Sequence, residues 1–351
     1  MQSSDKMTQP FDPNEVGVKN GNYFGFPNRL HQSSVVLLTV PWDVTTSYRP
    51  GTAKAPDAIL EASPQLDFYD FYIPNASNLE IGTIPELKEI RFWNEQLRPK
   101  AEKIISALES GEKLTSTLQD YLQEINQRSN DLNQLIESTV IPYLIKNQTV
   151  GIVGGDHSSP YGLIKALERF YPSFGILHID AHADLRKTYE GFLFSHASIM
   201  YNVVQLQSIS SITQVAIRDV SPKEIEYAQQ CQKITMFSDY DLKRRLFCGE
   251  SWDHICDEIV DSLPENVYIS FDIDGLSPEF CPNTGTPVPG GLSFDQAMFL
   301  LYRTLQKGKR LIGFDLCEVA PGPLNDWDTN VGARVLFKLC LLAERSKHKS
   351  L

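Results

Sequence analysis

The stretch QTVGIVGGDHSS at residues 148–159 joins an apolar strand to a polar turn that contains Asp156 and His157. The same layout recurs in FGILHIDAHAD at residues 174–184 and in VYISFDIDG at residues 267–275. Each stretch begins with an apolar run of strand length and ends in acidic residues, which histidine accompanies in the first two. Residues two or four positions apart on a strand project to the same side. Within the second stretch, and likewise within the third, the carboxylates are therefore expected to project to the same side of the strand.

Apolar strands alternate with helical segments on both sides of these stretches. Strands are predicted at residues 34–40, 148–153, 174–179, 210–217, 234–237, 267–271 and 310–316. Helices are predicted at residues 55–62, 160–171, 251–262, 294–305 and 329–344, with another that begins near residue 221. This alternation predicts an α/β fold with a mainly parallel sheet covered on both faces. Functional sites in such sheets lie at the carboxyl ends of the strands, where each acidic stretch ends.

The chain is predicted to contain a single domain, because no linker or internal repeat interrupts it. Residues 1–33 are polar and form a predicted N-terminal extension, a mobile tail followed by an irregular cover. The domain itself then covers residues 34–351. A helical insert at about residues 88–146, rich in Leu, Glu, Lys and Gln, is expected to pack on the sheet or on another subunit.

The composition favours a cytoplasmic protein of 351 residues with a small-molecule substrate. The net charge of −12 argues against nucleic acid and anionic membrane as partners. The six cysteines are scattered without a CxxC motif, which is typical of reduced thiols. The N-terminus lacks the apolar segment of a signal peptide, and no run approaches the roughly 18 apolar residues of a membrane span.

The acidic strand ends predict a site for divalent metal ions. Buried carboxylates are costly unless they are paired or metal-bound, and lysine and arginine are sparse around these motifs. Oxygen and nitrogen ligands without a nearby thiolate suit manganese, or another first-row ion such as nickel. Four carboxylates balance two divalent cations, which can share one hydroxide. The candidate ligands are His157, Asp180, His182, Asp184, Asp272 and Asp274.

These motifs resemble those of the ureohydrolases, the family that includes arginase and agmatinase. The resemblance rests on residues 154–158, 180–184 and 270–278, the last continuing into residues 285–291. Residues 41–43 and 47–51 also resemble the family's first loop, and residues 318–321 resemble its last. It implies a three-layer α/β/α sandwich with two Mn2+ ions. It further implies that a hydroxide bridging the two ions attacks the guanidinium carbon, which yields urea and an amine. Members of this family are usually trimers or hexamers, so a homo-oligomer is expected.

The resemblance also assigns roles to individual residues. One ion would be held by His157, Asp180, Asp184 and Asp272, and the other by Asp180, His182, Asp272 and Asp274. The catalytic residues would be Asp184, Glu318 and His196. Glu318 would face the guanidinium group, and His196 would move protons. The alternative for His196 is an ordinary loop histidine, and the alternative for Glu318 is an exposed loop acid.

The segment from Asp184 to Ala197 is similar to that of agmatinases. Arginases tend to have Asn, Thr, Ser and Gly in this segment, as part of a loop that binds the amino-acid end of their substrate. A decarboxylated substrate such as agmatine is therefore preferred, with an arginase, a guanidine hydrolase or a formiminoglutamase as alternatives. Arg186 is the candidate partner for a substrate carboxylate.

Four positions depart from the family pattern: Ser159, Pro160, Ser277 and Asn283. These departures motivate a second class of hypothesis, a non-catalytic metal-binding subunit that uses the helical insert as its contact surface.

Overall fold

An eight-stranded parallel sheet forms the centre of the protein, in a computed structural model that describes residues 12–323 and 326–348. The strands are β1 (Val35–Val40), β2 (Ile81–Thr83), β3 (Thr149–Gly154), β4 (Phe174–Ile179), β5 (Ile209–Ile217), β6 (Ile234–Ser238), β7 (Asn266–Asp272) and β8 (Arg310–Cys317). Their order across the sheet is β2-β1-β3-β8-β7-β4-β5-β6, and all neighbours are parallel.

Helices cover both faces of this sheet. They are α1 (Ala55–Ala62), α2 (Lys88–Glu109), α3 (Ser116–Ile145), α4 (Tyr161–Leu167), α5 (Ile199–Val204), α6 (Pro222–Gln230), α7 (Asp239–Phe247), α8 (Trp252–Asp261), α9 (Phe294–Gln306) and α10 (Trp327–Arg345). Among the described residues, no helix combines the length and the apolar character that a membrane crossing requires.

Two separate hydrophobic clusters divide the core, one on each face of the sheet. Along β1, Val35 and Leu37 belong to one cluster, while Val36 and Leu38 belong to the other, because successive strand residues point to opposite faces. Helices α1 and α7 to α10 contribute to the first cluster, and α2 to α5 contribute to the second. The predicted three-layer α/β/α sandwich is thereby confirmed.

The structure contains each of the seven predicted strands to within one residue at each end, but adds elements that the sequence did not indicate. The edge strand β2 has only three residues with Gly82 at its centre, too short for any alternation to be visible. Two short helices, α5 and α7, were not predicted either. The predicted helix at 160–171 ends as α4 at Leu167, after which Glu168 to Phe170 continue in hydrogen-bonded turns.

Part of the predicted N-terminal extension packs into the core. The side chains of Tyr23, Phe24 and Phe26 are buried, and the ring of Phe24 packs against that of Phe337. Residues 1–11, at which the predicted mobile tail begins, lie outside the described residues. The boundary at residue 33 stays a prediction.

The predicted helical insert consists of the two helices α2 and α3. Helix α2 begins at Lys88, where the predicted insert begins, and it continues through Pro99. Buried residues of both helices, such as Ile104 and Ile136, join the second hydrophobic cluster. This placement agrees with the expectation that the insert packs on the sheet.

Candidate metal centre

The predicted site residues meet at one edge of the sheet, beyond the carboxyl ends of four adjacent strands. His157 follows β3, Glu318 follows β8, Asp272 ends β7 and Asp180 follows β4. These strands are consecutive in the sheet. Because parallel strands all end at the same edge, residues that are far apart in the sequence become neighbours here.

His157 lies at the centre of the first group of ligands. Its Nδ1 atom is 2.9 Å from Oδ2 of Asp180, 3.2 Å from Oδ2 of Asp184 and 3.3 Å from Oδ2 of Asp272. Burial lowers the pKa of His157, but the hydrogen bonds with these carboxylates outweigh it and raise the pKa well above its usual value. Three carboxylates therefore converge on one buried imidazole nitrogen.

His182 marks the second group, which shares Asp180 with the first. The Nδ1 atom of His182 is 3.2 Å from Oδ2 of Asp274 and 3.4 Å from Oδ1 of Asp180. Asp180 thus presents one carboxylate oxygen to each histidine. Asp272 lies between the groups, since its Oδ1 accepts a hydrogen bond of 2.8 Å from the backbone N of Asp274. The structure brings all six predicted ligands together.

The negative charge of the four carboxylates in this cluster is not fully balanced by positively charged side chains of the described residues. Burial, and next the negative charge of Asp180, raise the pKa of Asp184 to about 6. Burial, and next the charges of Asp274 and Asp180, raise the pKa of Asp272 well above its usual value. In residues 12–323 and 326–348, no lysine or arginine forms an ion pair with these four carboxylates. An arrangement of four buried acids and two imidazoles fits divalent first-row metal ions.

A row of buried polar side chains crosses the sheet next to the ligands. Gln214 on β5, His178 on β4, Ser270 on β7 and Asp315 on β8 lie opposite one another in register. The amide nitrogen of Gln214 donates to Nδ1 of His178 at 3.0 Å, so Nε2 of His178 donates to Oδ2 of Asp180 at 2.8 Å. Gln214 also donates to a backbone carbonyl at 2.7 Å, which fixes the orientation of its amide.

The other half of this row contacts His157. Its Nε2 atom is 2.8 Å from Oγ of Ser270 and 3.7 Å from Oδ1 of Asp315. Partners of this kind orient a metal-binding imidazole and set which nitrogen is free to bind the ion. Reasoning from the sequence missed all four residues, although polar residues inside apolar strands were a visible signal.

His178→Leu is expected to lower the affinity for divalent metal about 10- to 100-fold, because Asp180 loses the donor that orients its carboxylate. Isothermal titration calorimetry measures this affinity, and circular dichroism checks that the variant is folded. Thr213→Val is the control, since Thr213 is a buried polar residue of β5 whose hydroxyl contacts Ser262 instead. A folded His178→Leu variant with unchanged metal affinity would refute the orienting role.

His196 lies in a loop beside the ligand cluster, in contact with the loop that follows β1. Its Nε2 atom is 3.5 Å from Oγ of Ser47, and its backbone N donates to Oγ1 of Thr45 at 3.2 Å. Burial, and next the charge of His182, lower the pKa of His196 to about 3. The imidazole is therefore neutral near pH 7. Its part in proton transfer stays a prediction.

Glu318 is buried, unlike the exposed loop acid considered as its alternative. Its Oε1 atom accepts a hydrogen bond of 2.9 Å from the backbone N of His157, and its backbone φ of 61° lies in the left-handed region. A side chain at Gly285 would bring its Cβ within 3.2 Å of Oε2 of Glu318. Burial, and next the charge of Asp156, raise the pKa of Glu318 well above its usual value. Non-glycine residues in such a conformation are uncommon and cluster at functional sites.

Arg186 is engaged with protein groups. Its Nε atom is 3.6 Å from Oε2 of Glu224, and its guanidinium carbon lies 4.8 Å from the ring centre of Tyr189. The predicted contact between Arg186 and a substrate carboxylate is not tested by this arrangement and stays a prediction.

Three positions that depart from the family pattern form hydrogen bonds away from the ligand carboxylates. The hydroxyl of Ser159 donates to the backbone O of Asp156 at 2.7 Å. Asn283 donates to Asp328 through its backbone N and through Nδ2, both at 2.8 Å. Ser277 donates through its backbone N to Leu292. These contacts leave the six candidate ligands in place.

Comparisons with known proteins show the family to which the chain is similar. A family model described as the arginase family matches residues 33–342. The chain is 30% identical over 290 residues to the N(1)-aminopropylagmatine ureohydrolase of Thermus thermophilus, covering 83% of this chain and 84% of that protein. It is 28% identical to an agmatinase of Halalkalibacterium halodurans, covering 84% of this chain and 86% of that protein.

The fold has solved counterparts. The structure of the agmatine ureohydrolase of Thermoplasma volcanium superposes with a TM-score of 0.68 over 96% of each chain, at 24% identity. At this identity the superposition supports the α/β/α fold alone. The family model covers most of the sequence, and from that match we conclude that this chain belongs to the arginase family.

Proposed function

We propose that this protein hydrolyses the guanidino group of a small cationic substrate to urea and an amine, using two Mn2+ ions. One observation carries the proposal: four buried carboxylates and two histidines converge at the sheet edge, with the buried carboxyl group of Glu318 beside them. Membership of the arginase family supports the same class of hydrolase.

The residues of the site divide the chemistry among them. The six ligands would hold divalent ions, which would lower the pKa of water and so supply hydroxide as a nucleophile near neutral pH. Glu318 binds the guanidinium group, because a carboxylate and a guanidinium match as two parallel charge-assisted hydrogen bonds. Asp184 holds the nucleophile in position, and the neutral His196 transfers protons, since an imidazole both accepts and donates near the site.

The preferred substrates are agmatine and its N(1)-aminopropyl derivative. Two relatives are named as enzymes for these compounds. Arg186 is already engaged with Glu224 and Tyr189, which leaves it less suited to bind a substrate carboxylate. A decarboxylated substrate needs no such partner.

A panel assay tests this function. Purified protein loaded with Mn2+ is incubated with agmatine, N(1)-aminopropylagmatine, arginine, guanidinobutyrate, guanidine and formiminoglutamate, and both urea and formamide are measured. Urea is expected from the first two compounds. Release of formamide would indicate a formiminoglutamase instead. Release of urea from arginine alone would indicate an arginase, and release from guanidine alone would indicate a guanidine hydrolase. Full metal content without turnover on any compound would favour the non-catalytic metal-binding subunit.

The metal, the assembly and the compartment are part of the same proposal. Mn2+ is preferred because the ligand atoms are carboxylate oxygens and imidazole nitrogens, and loading with Ni2+ is the comparison. A homo-oligomer is supported by exposed aromatic residues such as Tyr69 and Phe71, and light scattering measures its mass. A cytoplasmic location is supported by cysteines that are free throughout the described part of the chain.

A further inference from the structure

Two polar side chains of α2 bind the loop that follows β1. Oδ1 of Asn94 accepts a hydrogen bond of 2.7 Å from the backbone N of Asp43, and Nδ2 of Asn94 donates to Oδ1 of Asp43 at 3.0 Å. One turn later, Nη1 of Arg98 lies 3.1 Å from the carbonyl oxygens of Asp43 and Val44 and 2.5 Å from that of Thr46. The Arg98 side chain is only 13% exposed.

These contacts satisfy backbone groups that the sheet does not. The loop at residues 41–47 has left β1. In the described part of the chain, the carbonyl groups of Trp42 and Asp43 accept backbone hydrogen bonds from Asp156 and Thr46, whereas no backbone N donates to those of Val44 and Thr46. Buried carbonyl groups without partners are costly, and a guanidinium group can serve several acceptors through its fixed set of donors. Arg98 therefore fixes the path of this loop through hydrogen bonds, in addition to the packing of α2.

The same loop contacts two parts of the active site. The hydroxyl of Thr45 donates to Oδ2 of Asp156 at 3.0 Å and accepts from the backbone N of His196 at 3.2 Å. The hydroxyl of Ser47 lies 3.5 Å from Nε2 of His196. Thr45 is fully buried, and its single hydroxyl joins the turn before His157 to the loop of His196.

We infer that Arg98 and Asn94 are positioning residues for His196, acting through Thr45 and Ser47 of the loop. The helical insert, in this view, is a support for the active site, and its role does not depend on another subunit. The effect on turnover rests on the proposed hydrolase function, whereas the effect on the loop does not.

Arg98→Ala tests this inference with two independent measurements. We expect kcat for agmatine to fall on the order of 10- to 100-fold, because small displacements of a catalytic group cost about that much. KM and the affinity for Mn2+ are expected to change less than about threefold, because Arg98 contacts neither Glu318 nor a metal ligand. Hydrogen exchange is expected to become faster at the amide of His196, which donates to Thr45. Arg98→Lys should restore part of both losses.

Lys100→Ala is the matched control, since Lys100 lies on the same helix and pairs with Glu124 of α3. It should leave kcat and the exchange of His196 unchanged. A folded Arg98→Ala variant with normal exchange at His196 overturns the inference, whatever its activity. If the wild-type protein releases no product, the proposed function fails, and the exchange measurement still decides the role of Arg98.

Discussion

Asp180→Asn is expected to abolish both metal binding and urea release. Asp180 presents Oδ2 to His157 and Oδ1 to His182, so it belongs to both halves of the cluster. Asparagine has the same shape, but its amide nitrogen cannot bind a cation, and the negative charge is lost. Removing a group that only orients a ligand costs about 10- to 100-fold in metal affinity. Loss of a shared ligand should exceed that range.

Two measurements separate this effect from misfolding. Metal content after dialysis is measured by mass spectrometry, and circular dichroism reports the fold. Asp239→Asn serves as the control, because Asp239 is also a buried acid but contacts the backbone N of Gly291. A folded Asp180→Asn variant that retains two ions per chain and normal turnover would exclude Asp180 as a ligand.

The sequence predicts the framework of this site because the framework is periodic. Apolar runs mark the strands, and parallel strands must end at one edge, so Asp180 and Asp272 were expected to meet. Hydrogen bonds between residues far apart in the chain have no such signature. The contact of Arg98 with the backbone of Thr46 and the register of Gln214 with His178 depend on how elements pack, which no local pattern encodes.

The contacts of Arg186, a residue that the sequence did single out, likewise depend on how elements pack. A cation two positions after Asp184 suggested a partner for a substrate carboxylate. In the folded chain its side chain lies against Glu224 and Tyr189. Glu224 caps the start of α6 and also accepts a hydrogen bond from the backbone N of Leu185. Only the arrangement of that helix reveals where Arg186 is engaged.

Glu318→Gln is expected to separate substrate binding from metal binding. Glutamine keeps an oxygen that can accept from the backbone N of His157, so the loop geometry should persist. The charge that faces a guanidinium group is lost, however, and truncating one partner of a buried charge-assisted pair costs about 2–5 kcal/mol. We expect kcat/KM for agmatine to fall on the order of 10²- to 10³-fold, with Mn2+ affinity within about threefold of that of the wild-type protein.

The control for this variant is Glu279→Gln, which removes an exposed charge from the loop after β7. It should retain normal kcat/KM, because Glu279 is exposed and its backbone oxygen accepts a hydrogen bond from Trp327, away from the six ligands. If Glu318→Gln binds metal normally and hydrolyses agmatine at the wild-type rate, Glu318 does not bind the guanidinium group. If the variant instead loses metal, its carboxylate belongs with the six ligands. Steady-state kinetics and calorimetry on the same preparations distinguish the two outcomes, because only the second changes metal affinity.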